Sequence, residues 1–400
     1  MAHVRVRLFA ALRDLAGSGV VEADGETAGA VLDELCRRFG DRFEKVARSA
    51  SLVVDGERAT ADRPLRDREE VAVLPPVSGG ASSLALRRLG YSAFVSRPFH
   101  RVLLVVNPVA RTVSRPTLAV IEKALSADFD LEVLETVERG HATKIAADAA
   151  AGGIDLVVVF SGDGTINEAL NGLVGTETAL GVIPGGATNI LVRALAMPLD
   201  PVDATGVLIA NALDGQTRTL HLGLADDRYF AVNCGAGIDA AAMKRLDARF
   251  PKSKARFERA AFRSVAWELI ASYAGKAPDL AVRVDGAAPT PSLSVMIGRT
   301  DPYTYYKDRG VRVTPDASFD TGLDVLSARY LPRRSVARIA WQVFGSARHV
   351  RGRDIDYWHN ASEVRVTSVS PFPVQVDGDV MEDRASLSVG LARDALRVVA

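Results

Sequence analysis

The chain has 400 residues, 48% of them hydrophobic, which is enough for two or three domains that each enclose a core. Lysine plus arginine and aspartate plus glutamate are equal at 49 each, so bulk charge gives no reason to expect a nucleic-acid partner, and any charged partner must be met by a local patch. The two cysteines, Cys36 and Cys234, are too few and too far apart for a disulfide framework or a zinc cluster, and no apolar run reaches the roughly 18 residues of a membrane span. The N-terminal stretch MAHVRVRLFAAL alternates where a signal peptide would be continuous, so the expectation is a cytoplasmic protein without a transmembrane span.

Residues 3–9 alternate, with Val4, Val6 and Leu8 on one side and His3, Arg5 and Arg7 on the other, as a half-buried strand does. Thr27 can cap a helix whose apolar residues Val31, Leu32, Leu35 and Phe39 recur at helical spacing, and Gly40 can close it. Two strands, SLVVDGE and EVAVLPP, complete a first block that ends in LPPVSGG. The spacing gives domain 1–80, a linker 81–99 without a clear period, a lobe 100–214 and a second lobe 215–400.

From residue 101 apolar strands (RVLLVVNP, DLEVLET, IDLVVVF, ALGVIP) alternate with helices near 114–127, 140–151, 165–174 and 200–212. Such alternation predicts right-handed crossovers and a parallel sheet covered on both faces, with ligands at the carboxyl ends of its strands. Beyond residue 215 strands dominate: TRTLHLGLA, YFAVNCG, LAVRVDG, SLSVMIG, LDVLSARY, EVRVTS, FPVQVDG and LRVVA, with helices expected near 255–274 and 334–347. This predicts a mostly antiparallel lobe.

Ser161-Gly162-Asp163-Gly164-Thr165 follows the third strand of the parallel set, and a helix follows it in turn. Its glycines admit a ligand close to the backbone, and the free amides of the helix favour an anion. The nucleotide-loop pattern GxxxxGKS/T is absent, so phosphate charge must be met by backbone dipoles and by magnesium, for which Asp163 is suited. A capping role for Asp163 is the simpler alternative. The loop Gly185-Gly186-Ala187-Thr188-Asn189 emerges on the same sheet edge after the next strand, as do Asn107, Pro108 and Thr136 after the first two. Together they outline one nucleotide pocket.

This set resembles the diacylglycerol kinase catalytic family, which includes bacterial lipid kinases and sphingosine kinases. The family pattern GGDGTxNE is matched by Ser161 to Glu168, including Thr165 and Asn167, with serine for the first glycine. PxGTxND is matched in part by Pro184 to Ile190, where Ala187 and Ile190 depart from it; NPxSG becomes Asn107, Pro108, Val109, Ala110, Arg111. GAGIDA at 235–240, TPDASFDTGLDVL at 314–326 and PFPVQVDGDV at 371–380 follow in family order. The resemblance implies ATP and Mg2+ as cofactors and Asp377 and Asp379 as the acid pair that supplies the general base beside Asp163. It also implies Asp239 against the lipid head group and Asp320 in a magnesium site that braces the second lobe.

Two basic stretches would suit the surface of an anionic membrane. One runs from Lys244 to Arg263; in the other, Arg333, Arg334, Arg338, Arg348, Arg351 and Arg353 flank an apolar helical stripe.

The first block resembles a second family, the ubiquitin-like sulfur carriers, specifically the small subunit of molybdopterin synthase, through VRLFAALRDLAG, VVDGE and EVAVLPPVSGG. In that family the last two glycines, here Gly79 and Gly80, end in the reactive carboxylate. Here 320 residues follow, so carrier activity needs cleavage after Gly80. The expected architecture is therefore α/β plus all-β: a β-grasp domain, then a two-lobed lipid kinase with a parallel nucleotide-binding lobe and a mostly antiparallel lobe. The expected protein phosphorylates diacylglycerol or a related lipid at a membrane surface. The alternatives are a kinase acting on NAD or another soluble substrate, and a carrier with a decayed kinase region. A molybdopterin-pathway enzyme and a second copy of the chain are the remaining candidate partners; nucleic acid is not one.

Overall fold

A computed structural model describes residues 2–48, 50–55, 57–67, 69–74, 98–249, 272–306 and 309–400. In the first block, strands β1 (Ala2–Leu8), β2 (Val20–Gly25), β3 (Ser51–Val54), β4 (Glu57–Ala59) and β5 (Glu70–Leu74) form one sheet in the order β2-β1-β5-β3-β4. β1 runs antiparallel to β2 and parallel to β5. Helices α1 (Ala10–Ala16), α2 (Ala28–Phe39) and α3 (Asp41–Ala47) complete it. Thr27 caps α2 by accepting from the Ala30 amide, and Gly40, at φ +81°, closes it. Val31, Leu32, Leu35 and Cys36 of α2 share a core with Val4, Val6, Leu8, Val71 and Val73. The β-grasp expectation is met; α1, α3 and β2 were not foreseen, because seven-residue helices carry too few turns to show a period. β2, VVEADG, is poor in strand formers and is set by its pairing with β1.

Strands β6 (Arg101–Val106), β7 (Asp130–Glu135), β8 (Leu156–Ser161) and β9 (Ala179–Pro184) are parallel, in the order β7-β6-β8-β9. β8 and β9 are buried at every residue, as strands covered on both faces must be. Helices α4 (Arg115–Leu125), α5 (His141–Ala151), α6 (Asp163–Leu173), α7 (Ile190–Ala194) and α8 (Pro201–Leu213) belong to this lobe.

The second lobe begins with β10 (Arg218–Ala225), β11 (Arg228–Phe230) and β12 (Asn233–Ala236), then helix α9 (Ile238–Arg249). Strands β13 (Leu280–Val284), β14 (Thr290–Ser292), β15 (Ser294–Gly298), β16 (Thr304–Tyr306), β17 (Arg309–Val311) and β18 (Leu323–Ala328) follow. Helix α10 (Val336–Val343) precedes β19 (Ile355–Ala361), β20 (Glu363–Phe372), β21 (Val374–Val376), β22 (Asp379–Val380) and β23 (Arg384–Val399).

β23 runs parallel to β9 and antiparallel to β20 and β10, so the parallel sheet continues into the second lobe without a break. A six-stranded sheet, β19-β18-β15-β12-β21-β22, packs against this extension; Val295, Ile297, Val325 and Val376 from one sheet meet Val282, Val364, Val366 and Leu387 from the other.

The expected strand YFAVNCG is divided into β11 and β12, because the amides of Ala231, Val232 and Asn233 donate to a side chain, that of Asp377. Only the last four residues of β23 lie in an expected strand: Asp394 has φ +48° and interrupts the alternation that its flanks would otherwise show. Most of the helix expected near 255–274 and of the basic stretch 244–263 lies outside the described residues, as do Gly79, Gly80 and nearly all of the expected linker.

The β-grasp domain touches the parallel lobe. Phe9, Val53 and Ala72 form a small apolar cluster with Val202 of α8, and Arg13 pairs with Asp203.

Arg299, at the end of β15, is fully buried and donates to the carbonyls of His221, Phe319, Thr321 and Gly322. Burial lowers its pKa to about 10, which still leaves it charged. It fixes the loop between β17 and β18. Arg299→Met is expected to destabilise the protein by about 3 kcal/mol or more in chemical denaturation, because several buried carbonyls lose their donor; a change below 1 kcal/mol would show that other donors replace it.

Candidate functional site

The two glycine loops of the parallel lobe pack backbone on backbone. A Cβ on Gly185 would lie 2.6 Å from the Cα of Ser161, and one on Gly186 would lie 2.7 Å from the Cα of Gly162. The Gly185 amide donates to the Ser161 carbonyl at 2.7 Å, and Asn189, at φ +50°, closes the second loop by accepting from the Gly186 amide at 2.8 Å. Thr112 joins the loop that starts at Asn107 to the same place, since its amide donates to the Gly185 carbonyl at 3.1 Å. Asn107 donates to the Thr165 hydroxyl at 3.0 Å, and Thr136 is buried where β7 ends beside Val106. Gly164 is exposed with nothing near its missing side chain, which leaves room for a ligand there. Ser161 holds a buried hydroxyl oxygen without a partner. Pro108 is exposed at the rim, and the Thr188 carbonyl accepts from Arg193.

Asp163 opens α6 but does not cap it. Its Oδ1 accepts from the Leu191 amide at 3.3 Å, at the start of α7. Desolvation, with repulsion from Asp377 as a smaller contribution, pushes its carboxyl up to about 6 despite the helping α7 amides. Asp163 and Asp377 line one small cavity with Ile166, Asn167, Leu191 and Val232.

Asp377 and Gly378, at φ +48° and +83°, make the tight turn between β21 and β22. The carboxylate of Asp377 accepts from the amides of Ala231, Val232 and Asn233 at 3.0, 2.9 and 2.8 Å and from Asn167 Nδ2 at 2.8 Å. Burial raises its pKa against these hydrogen bonds. All its capacity goes into joining α6 to the second lobe. Asp379, two residues on, is paired instead with Arg228 at 2.6 Å and Arg139 at 2.9 Å. Arg228 also donates to Asn167 Oδ1 at 2.8 Å, so one guanidinium ties the glycine-turn helix to the acid.

Glu168 does not join this group: its carboxylate accepts from the Ala142 amide near the start of α5. Asp320 does not either. It is exposed and paired with Arg218 at 2.7 Å, whereas the described residues that could gather round a metal in that lobe are Asp316, Asp324 and His359.

Asp239, at the start of α9, is buried. One oxygen accepts from the Tyr303 hydroxyl at 2.6 Å, and the other lies beside the side-chain amide of Gln375. Burial raises its pKa against the Tyr303 hydrogen bond. Tyr303, Arg228 and Arg139 were missed in the sequence; they lie outside every motif, and only the fold brings them to the acids.

A parallel α/β lobe continued into an antiparallel sandwich, with two glycine loops and half-buried carboxylates at the junction and a β-grasp domain in front, defines the class of protein. Within it, residues 101–225 match the diacylglycerol kinase catalytic domain, residues 232–400 the YegS C-terminal NAD kinase beta sandwich-like domain, and residues 6–80 the ThiS family. The chain carries these three family domains in the order ThiS, kinase catalytic, YegS C-terminal.

The diacylglycerol kinase of Bacillus subtilis (strain 168) is 34% identical over 141 residues, 34% of this chain and 46% of that protein, so the match spans about half of that relative. The diacylglycerol kinase of Staphylococcus saprophyticus is 26% identical over 287 residues, covering 70% of this chain and 88% of its own length. A crystal structure of a diacylglycerol kinase from Bacillus anthracis str. Sterne shares the fold, with a TM-score of 0.59 at 23% identity over 75% of this chain and 97% of its own.

The folded-state pKa of Asp163 lies above its ordinary value of 3.8, so its ionisation opposes folding. The cost is absent below about pH 4, grows as pH rises, and is complete above about pH 6. Asp163→Asn should therefore be more stable than the parent at pH 8, by up to about 3 kcal/mol, with the gain vanishing towards pH 4. Urea unfolding across that range checks this; a pH-independent difference would place Asp163 in a solvated setting.

Proposed function

We propose that the protein transfers the γ-phosphoryl group of ATP to the hydroxyl of diacylglycerol or a related lipid or sphingoid base. The observation that carries this is the junction at which Asp163, at the glycine turn, lines one cavity with Asn167 and Asp377, while Arg228 ties Asn167 to Asp379 of the second lobe. The names of the relatives support it. The phosphates of ATP would lie against the amides of the loops at 162–164 and 185–189, with Asn107 and Thr165 at the edge.

Hard carboxylate oxygens crowded in a desolvated site fit a divalent cation, whose charge would relieve the raised pKa of Asp163. Asp163 would hold Mg2+, which supplies charge neutralisation along the phosphate chain. Asp379 takes the proton of the lipid hydroxyl as that oxygen bonds to the γ-phosphorus, and ADP leaves with the electrons of the broken bond. Arg139 and Arg228 bring positive charge to the acid and to the transferred group, in place of the missing loop lysine. Asp377 acts as a positioning residue, and Asp239 would receive the head group.

Labelled ATP supplied with diacylglycerol, a sphingoid base and, as control, NAD tests the reading. Label is expected in the lipid phase. Asp379→Asn should lower kcat by about 10²–10⁴-fold with little change in KM for ATP, and Asp163→Asn should abolish transfer while the fold is kept. Label in NAD would make this a kinase of a soluble substrate.

The ThiS-family match runs to residue 80, where the sequence reads Gly79-Gly80. A carrier needs that carboxylate free. The contact of Phe9, Val53 and Ala72 with Val202 supports a domain kept in place as a docking module. Intact-mass measurement of the protein from its native host should show full-length chains; a fragment ending at Gly80 would make the domain a released sulfur carrier.

A further inference from the structure

Helix α10 presents apolar residues to solvent. No residue of it is buried, although Ile339 leans on the cluster of Leu331, Ile355 and Ala328. Ala337, Ala340, Trp341 and Phe344 recur at helical spacing on the outward side, with Trp341 81% and Phe344 38% exposed. A stripe like this on a surface helix is normally covered.

The charge around it says by what. Between Asp324 and Asp354 the sequence has seven arginines and no acid. Arg329 is paired with Asp356 and Arg338 reaches Gln342. Arg333, Arg334, Arg348 and Arg351 are exposed and have no acidic partner among the described residues. A second copy of the chain is a poor cover, because a two-fold contact sets the same arginines against each other. Exposed tryptophan and phenylalanine ringed by arginine suit the interface of an anionic bilayer, where the rings enter the head-group layer and the guanidinium groups meet phosphate.

The helix is also joined to the candidate site. Tyr303 holds Asp239; Tyr305, in β16, lies under the guanidinium of Arg193 at 4.4 Å; Tyr306 meets the Phe344 ring edge-on at 6.2 Å. The Arg312 amide, just after β17, donates to the Val343 carbonyl at 2.8 Å. The β16–β17 hairpin is thus the only spacer between α10 and the buried acid among these contacts.

We propose that α10 and its flanking arginines dock the protein on an anionic bilayer, with Trp341 and Phe344 inserted, so that lipid is drawn towards Asp239 past the hairpin. The delivery of substrate rests on the lipid-kinase reading; the membrane contact does not.

The full-length protein is sedimented with vesicles of phosphatidylcholine alone or mixed in equal parts with phosphatidylglycerol. Binding is expected only to the anionic vesicles and should fall as salt rises. At about 1 kcal/mol per arginine, the pair Arg333→Gln and Arg334→Gln should weaken it about thirtyfold, and Trp341→Ala about tenfold. These side chains are exposed, so the melting temperature should stay put.

In the kinase assay both variants should match the parent on a short-chain, water-dispersed diacylglycerol and fall behind it on vesicle-borne substrate. Failure of the parent to bind anionic vesicles, equal binding by the variants, or a Trp341-dependent dimer without vesicle binding would each overturn the proposal. Trp341-dependent binding without label transfer to any lipid would uphold it and refute the kinase reading alone.

Discussion

The carboxylate of Asp377 takes four hydrogen bonds, three from consecutive amides of the second lobe and one from the glycine-turn helix of the first. Burial alone would cost an anion several kcal/mol, and only a full set of donors offsets it. The amides of residues 231–233 would in turn be left without a sheet partner if the acid were absent. Each side of the contact therefore requires the other, and the geometry of the junction follows. The second acid of the hairpin is held a fixed two residues from that anchor, beside the arginines that link it to α6.

In the proposed reading, the same junction lets a glycine turn face phosphate without a lysine. Gly162, Gly185 and Gly186 let two loops touch at backbone distance, which gathers amides from both onto one edge. Cationic side chains come instead from outside the loops: Arg139 from the segment before α5 and Arg228 from the start of β11. A charge carried by the opposite lobe responds to how the lobes sit, whereas a lysine within the loop would not.

The sequence made the periodic parts of the fold plain. The apolar runs of β6, β8 and β9, the alternation of β1 and the capped helix α2 are found where their spacing put them, because burial on one or both faces leaves a period. Short elements such as α1, β16 and β17 have too few residues for one. The candidate acids Asp163, Asp377, Asp379 and Asp239 stood in motifs and were legible, but the division of labour between them was not. Asp377 and Asp379 look alike in VDGD; only the backbone of residues 231–233 tells the anchor from the acid that remains beside the arginines. Glu168 and Asp320 show the converse, motif residues whose partners, the Ala142 amide and Arg218, lie in segments that no local pattern points to.

Strand β23 follows every other described strand in the chain yet sits in the interior of the largest sheet, between β9 on one side and β20 and β10 on the other. During synthesis β9 leaves the ribosome some two hundred residues before its neighbour. Until then one edge of a nearly finished parallel sheet stands open, with the amides and carbonyls of its outer strand unpaired. A nascent chain in that condition is a natural client for chaperones and a ready template for stray strands. A chain broken before Val398 would leave that edge open for good, because Val398 and Val399 are the residues that pair with β9.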